Sequence, residues 1–222
     1  MRNQNQDEFY SKHYEVIMGH GNIGRIMNVI HKRLDKPFLS LSNLEIVEVG
    51  AGHSQHLQRT QLRYVRYVEV DIREMNHSHI RQWDPRIVRV LADAQSLEPF
   101  HEGEFNLLIA TCLLAHLADP ELALRNFRRV IRHSGYLSLY VPCEPGIFLR
   151  LVRRFTTKRR IEKFGYNHKW LHWREHRNHY PLLESLIEQV FAGDTIKISK
   201  FPFPMFPWDF NLYTHFIIRV EK

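Results

Sequence analysis

The stretch Leu44-Glu-Ile-Val-Glu-Val-Gly-Ala-Gly-His-Ser54 decides how this chain is read. Leu44 to Val49 is a run of strand length that ends in Gly50-Ala51-Gly52, and a helix is predicted over 53–62. Glycines let the backbone turn sharply and let a ligand approach where a Cβ would clash. The free amides of a following helix would then point at that ligand. Strand, glycine turn and helix together make a nucleotide-class binding site.

Outward from this stretch, short apolar runs alternate with helical periodicity. Further strands are predicted at 66–70, 87–92, 105–110 and 136–141, and helices at 73–82 and 119–132. Asp119-Pro120 supplies an N-cap with Pro at the first helical position, and Gly135 ends that segment. Alternation of this kind implies a three-layer, doubly wound α/β fold with a mostly parallel sheet. Upstream, 9–34 reads as helical with a break at Gly19-His20-Gly21. Asn22 is the expected N-cap of the second part, and Pro37 stops it. Downstream, 181–192 reads as a helix, followed by strand runs at 195–201 and 213–220 that can pair antiparallel at the sheet edge. The total is seven strands in one domain, 1–222. Its parts are an N-terminal helical cap (1–43), a core (44–141), a basic helical insertion (142–180) and the closing helix and strands (181–222).

The chain has 222 residues and a formal charge of +7, and that charge is local. Residues 144–177 hold ten Lys/Arg against three Asp/Glu, while the remainder holds 21 of each. A local anionic partner fits this better than a coat of nucleic acid. Two cysteines, Cys112 and Cys143, make no disulfide framework and suit a reducing compartment. The opening MRNQNQDEFY has no apolar signal core, and no run reaches the ~20 apolar residues of a bilayer span. A cytoplasmic protein is expected.

The glycine turn is not a dinucleotide fingerprint, because Gln55 stands where the third glycine belongs. It has instead an acid two positions before the first glycine, Glu48. Asp71 follows nineteen residues after Gly52 at the end of the second strand, where a carboxylate can accept both ribose hydroxyls. Asp93, in Leu91-Ala-Asp93-Ala94, ends the third. Three acids ending three adjacent parallel strands converge on the crevice where such folds bind ligands.

With these residues in place the chain resembles the class I S-adenosylmethionine-dependent methyltransferases, over roughly residues 44 to 141. The likeness rests on Glu48-x-Gly50-x-Gly52, Asp71, Asp93-Ala94, the block Phe105 to Pro120 and the tail Phe127 to Leu137, with His133-Ser134 where the family often has Pro-Gly. The resemblance implies S-adenosylmethionine as cofactor and S-adenosylhomocysteine as product. It places Gly50, Ala51 and Gly52 against the methionine end and has Glu48 order the turn. Asp71, beside Ile72, would hold the ribose hydroxyls, Asp93 and the Ala94 amide would hold adenine, and the Ala110 or Thr111 carbonyl would meet the methionine ammonium. It also implies that N-terminal residues such as Tyr10 and Tyr14 close over the site. The block is most similar to the small-molecule branch.

The remaining residues narrow the acceptor. Enzymes that methylate exocyclic amines of bases carry Asn/Asp-Pro-Pro-aromatic after the fourth strand, and here that place reads Ala110-Thr111-Cys112-Leu113. A cysteine nucleophile would need a lowered pKa, and Thr111-Cys112 stands where cytosine-C5 enzymes have Pro-Cys, so Cys112 and Cys143 read as buried thiols. His168, His172, His176 and His179 form a stripe at helical spacing, but without HExxH or a Cys/His cluster no metal is expected. His20, His172 and His176 are the candidate general bases. Ile147, Phe148, Leu151, Val152 and Phe155 recur at helical spacing against Arg150, Arg153 and Arg154. The insertion reads as a lid that uses Arg153, Arg154, Arg159, Arg160 and His172 to receive a small or lipid-linked anionic acceptor, or that rests on an anionic membrane surface. RNA methylation ranks below this because no RNA-binding module is appended, and a non-catalytic methyltransferase-like subunit would have lost the glycine turn or Asp71.

Overall fold

Alternation along β1 (Leu44–Val49) sends Val47 and Val49 into one apolar core and Leu44 and Ile46 into another. A strand buried on both faces belongs in the middle of a sheet covered by helices on either side. The computed structural model describes Phe9 and residues 13–19, 21–74 and 84–222, and in it β1 takes that place. With β2 (Tyr64–Asp71), β3 (Ile87–Leu91), β4 (Phe105–Thr111), β5 (Ile131–Pro142), β6 (Thr195–Phe201) and β7 (Tyr213–Arg219), the sheet runs β3-β2-β1-β4-β5-β7-β6. The pairings from β3 through β5 are parallel, and β7 enters antiparallel between β5 and β6. Strand order reverses at β1, so the crevice beyond β1 and β4 is the switch point where such sheets bind ligands.

The helices complete three layers. On one face α2 (Gly21–Asp35) buries Met27, Ile30 and Leu34 against Ile46, Tyr67, Leu107 and Ile109. On the other, α3 (Pro120–Val130) and α7 (Tyr180–Val190) bury Leu124, Phe127, Leu183 and Ile187 against Val47, Val68, Leu108 and Leu137. Asp119 caps α3 as its sequence promised, its carboxylate accepting from the Leu122 amide at 2.9 Å. Three short helices, α4 (Ile147–Phe155), α5 (Thr157–Lys163) and α6 (His168–Glu175), build the insertion. They meet α1 (Tyr14–Gly19) through a small core of Phe9, Ile17, Ile161 and Leu171, so cap and insertion are packed on each other.

Several expectations need correction. Residues 53–62 form no α-helix. Ser54 takes φ +55, and the bonds that follow mix i−4 (Gln58 to Ser54, Thr60 to His56) with i−3 (Arg59 to His56). A left-handed residue stops the run of helical dihedrals from starting at the turn. Asn22 is not the cap of α2, because that helix already includes Gly21. Gly135 does not end a helix. The chain turns straight from α3 into β5, and a Cβ at Gly135 would stand 2.7 Å from Ile131 Cγ2. His176 and His179 cap α6 and α7 instead of extending one stripe. Most of the helix expected at 73–82, together with His20 and Tyr10, lies outside the described residues.

Candidate active site

The glycine turn is held by the strand beside it. The amides of Gly50 and Ala51 both donate to the Val70 carbonyl, at 2.8 and 3.1 Å, and the Gly52 amide donates to Asp71 Oδ2 at 3.0 Å. Gly50 and Gly52 take φ +75 and +53. A Cβ at Gly50 would meet Leu113 Cδ1 at 2.9 Å, whereas one at Gly52 would meet nothing within 4 Å. The backbone at Gly52 therefore faces open space, as a ligand cradle must.

Beneath the turn lies a buried polar network that neither the strand pattern nor the glycines announce. The Tyr67 hydroxyl donates to Glu48 Oε2 at 2.7 Å, and burial pushes the Glu48 carboxyl up to about 7. His56 Nε2 sits 3.2 Å from Asp35 Oδ1, and the Nδ1 atoms of His56 and His31 are 3.2 Å apart. Asp35 Oδ2 also accepts from the Thr60 hydroxyl and the Gln61 amide, which ties the segment after the turn to α2. Burial, followed by repulsion from His56, pulls His31 down to about 3, so its ring is neutral. The sequence held one clue to this network, namely the i, i+4 spacing of His31 and Asp35 on a single helix.

Above the turn a cavity of about 230 Å³ runs under the insertion. Its floor includes Glu48, Gly50 to Gly52, His31, His56, Thr111 and Cys112, and its roof includes Leu149, Val152, Arg153, His168, His172 and His176. Tyr14 and Tyr213 close its sides. Thr111 Oγ1 is buried there with no hydrogen-bond partner among the described residues. That is an open polar position at the carboxyl end of β4. On the roof, Glu144 accepts from His176 Nδ1 at 2.6 Å and pairs with the Arg153 guanidinium, and His172 stands 3.7 Å from the same carboxylate. Because an ionised carboxylate only accepts, His176 carries its proton on Nδ1 and its lone pair on Nε2. Burial, then the Arg153 charge, holds His176 at about 3 and His172 at about 2. Burial, then His176, holds His116 at about 3. All three rings are neutral near pH 7. Glu144, His172 and His176 offer ligand atoms within 4.8 Å of one another, but a cation there would face the guanidinium already seated on Glu144.

The residues named from sequence thus divide. Glu48, Gly50, Ala51, Gly52, Thr111, Arg153, His172 and His176 line the cavity. Asp71 fastens the turn from the end of β2, and the Ala92 amide donates to its carbonyl at 3.1 Å, which brings the approach to Asp93 and Ala94 alongside. Ala110 is buried within β4, and Ile72 is exposed. Arg154, Arg159 and Arg160 do not reach the cavity. Arg154 and Arg159 are exposed, and Arg160 bonds the Val16 carbonyl at 3.3 Å. The cause is helical geometry, since α4 turns Leu149, Val152 and Arg153 inward and the neighbouring arginines outward. Glu144, one of three acids in the basic segment, is the carboxylate that holds the roof residues Arg153 and His176. Cys112, at φ +56, has its thiol pushed up to about 12 by burial, which removes it as a nucleophile.

Comparison with known proteins accords with this geometry. Residues 47–139 match the family profile described as "Methyltransferase domain". No curated protein matches the chain in sequence. Among solved structures, a chain in the Haloferax volcanii complex of the Trm112 methyltransferase activator with a methyltransferase aligns over 100% of both chains, at TM-score 0.68 and 10% identity. The cyclase SpnF aligns over 91% of this chain and 84% of its own, at TM-score 0.65 and 11% identity. An S-adenosylmethionine-dependent methyltransferase of Thermotoga maritima aligns over 98% and 99%, at TM-score 0.64 and 16% identity. Likeness at these identities concerns the fold, and the cyclase illustrates that one fold hosts more than one reaction.

Proposed function

We propose that this chain, whose core matches a methyltransferase domain and whose fold is that of such enzymes, is a class I S-adenosylmethionine-dependent methyltransferase that methylates a small or lipid-linked anionic acceptor held between the glycine turn and the basic insertion. One observation carries the reading: the turn pinned to Asp71 opens into a cavity whose opposite wall is the insertion. The residues at the turn fit the cofactor that the family implies. Gly52 has space where a Cβ would be, the Thr111 hydroxyl awaits a partner, and Asp71 keeps lone pairs for ribose hydroxyls.

When bound, S-adenosylmethionine supplies an electrophilic methyl on a sulfonium, whose bond to sulfur breaks as the bond to the acceptor forms. For such an in-line displacement the protein's work is to align the acceptor and exclude water. Leu149, Val152 and Tyr213 provide dry walls, and Tyr14, its hydroxyl pushed up to about 12 by burial, stays protonated as a donor. Arg153 is the arginine of the basic segment that lines the cavity, and the donors its guanidinium keeps beyond its pair with Glu144 would meet the acceptor's anionic group. A proton leaving the acceptor would find lone-pair nitrogens on the roof, among them His176 Nε2. With that ring held at about 3, His176 suits hydrogen bonding better than full proton abstraction.

The test is transfer of labelled methyl from S-adenosylmethionine into polar and lipid-linked anionic extracts, using the wild type and Arg153→Gln. Label should enter one of these fractions, and the variant should lose roughly tenfold or more of the transfer while binding S-adenosylhomocysteine as before. Transfer confined to neutral compounds, or unchanged in the variant, refutes the acceptor reading.

A further inference from the structure

The outer face of α4 is not solvent-adapted. Ile147, Leu151 and Phe155 follow at i, i+4 and i+8 and are 58%, 51% and 55% exposed. Phe148, next around the helix, packs edge-on against Phe203 at 5.5 Å between ring centroids, and there a second group begins. Phe203, Met205, Phe206 and Phe210 are all exposed, Met205 by 93%. Ring contacts at 5.9 Å (Phe203–Phe206) and 6.2 Å (Phe206–Phe210) hold them together. Prolines at 202, 204 and 207 restrict this loop, so presenting its apolar tip loses little chain entropy. An apolar patch built from two adjacent elements marks an interaction site rather than ordinary surface.

The charge around it states the partner. On the helical wheel Arg150 and Arg154 border the Ile147–Leu151–Phe155 stripe, and both are exposed. The Arg159 guanidinium lies 5.5 Å over the Phe155 ring. Asp209 is the acid within the loop, and it is half-buried. Its cations stand at its border with long stems that can snorkel. No helix among the described residues is long and apolar enough to cross a membrane, so the surface can lie on a bilayer but not span it.

We propose that α4 and the loop 203–210 form a docking surface for an anionic membrane. The apolar side chains enter the boundary between headgroups and acyl chains, and Arg150, Arg154 and Arg159 meet lipid phosphates. The opposite face of α4 carries Leu149, Val152 and Arg153 into the cavity, so docking would set the cavity's roof at the membrane. The surface stands whether or not the acceptor itself is lipid-linked.

The experiment is co-sedimentation of the full chain with vesicles of phosphatidylcholine alone and of phosphatidylcholine with phosphatidylglycerol. Binding to the mixed vesicles alone is expected, and it should weaken with salt. The pair Leu151→Glu and Met205→Glu should abolish it. The triple change Arg150→Gln, Arg154→Gln and Arg159→Gln should weaken it by roughly tenfold or more. All five positions are solvent-facing, and unchanged S-adenosylhomocysteine binding would certify that the variants fold. The proposal is overturned by absent binding to the anionic vesicles or by full binding of the glutamate variant. It is equally overturned if the patch drives a dimer that the glutamate variant dissolves, or if the arginines serve only single-stranded RNA.

Discussion

The amide of Gly52 donates to Oδ2 of Asp71 across 3.0 Å, so the acid assigned to the ribose also anchors the turn assigned to the methionine end. Oδ1 accepts from the Arg73 amide at 3.0 Å, which fixes the carboxylate's orientation. Asp71→Ala should therefore weaken S-adenosylhomocysteine binding by at least about 1.5 kcal/mol through lost charge-assisted bonds. Asp71→Asn, which keeps one oxygen for the Gly52 amide, should fall between. Titration calorimetry decides the matter, and equal affinity in all three proteins would remove Asp71 from the site.

The two glycines of the turn should fail differently. Gly50→Ala forces a Cβ against Leu113 at 2.9 Å in a left-handed conformation. It should cost stability through strain and overpacking together, roughly 2–4 kcal/mol. Gly52→Ala has only the conformational penalty, about 1 kcal/mol, because its Cβ would occupy open space. If a ligand occupies that space, Gly52→Ala should nonetheless weaken S-adenosylhomocysteine binding at least as much as Gly50→Ala does. Urea midpoints alongside calorimetry separate the two effects, and intact binding by Gly52→Ala would show that the space is not used.

What the sequence made legible follows from where its physics is local. Strand runs of Val, Ile and Leu and the acids closing them could be read because burial on both faces leaves continuous apolar segments. All seven strands emerged, β1 and β6 at their expected bounds and β5 with the largest shift, starting at Ile131 where 136 was expected. The segment after Gly52 misled because its helical periodicity is overruled by contacts distant in sequence. His56 is drawn to Asp35, and Ser54 turns left-handed. Arg153 and Arg154 differ by one position, and sequence charge alone could not say which enters the cavity. Helix phase decided it, and the phase of α4 depends on packing against Trp208–Phe210 far along the chain.

Cys112 should be chemically quiet. Burial pushes its thiol up to about 12, so the thiolate fraction near pH 7.5 is negligible. Iodoacetamide should leave native Cys112 unmodified while labelling the unfolded chain, as mass spectrometry of digests would show. Its φ of +56 adds a second expectation, that Cys112→Gly is tolerated with stability within about 1 kcal/mol of the wild type. Rapid native alkylation would reopen a nucleophilic role.

Acid should unfold the chain through its buried histidines. Burial holds His215 at about 4 in the fold, with Ser138 Oγ 2.8 Å from its Nε2, and holds His31 at about 3. In the unfolded chain both titrate near 6.5, so as pH falls below 6.5 the unfolded state takes up protons that the native state refuses. Their stabilising neutral form is then lost progressively, through pH 4 for His215 and pH 3 for His31. Glu48 works in the opposite sense. Its carboxyl is raised to about 7, so its contribution is full below about 4.5 and declines as pH rises through 7. The two slopes oppose each other between 4.5 and 6.5, and the histidines outnumber the carboxyl. Wild-type stability should fall as pH drops from 6.5 to 4, and His215→Gln, which can still bond Ser138, should remove on the order of 3 kcal/mol of that loss. Glu48→Gln should instead remove the decline that Glu48 contributes between pH 4.5 and 7, which leaves the histidines' rise with pH steeper there. Urea midpoints measured across this range test both, and a His215→Gln profile parallel to the wild type would show that His215 is protonated within the native fold.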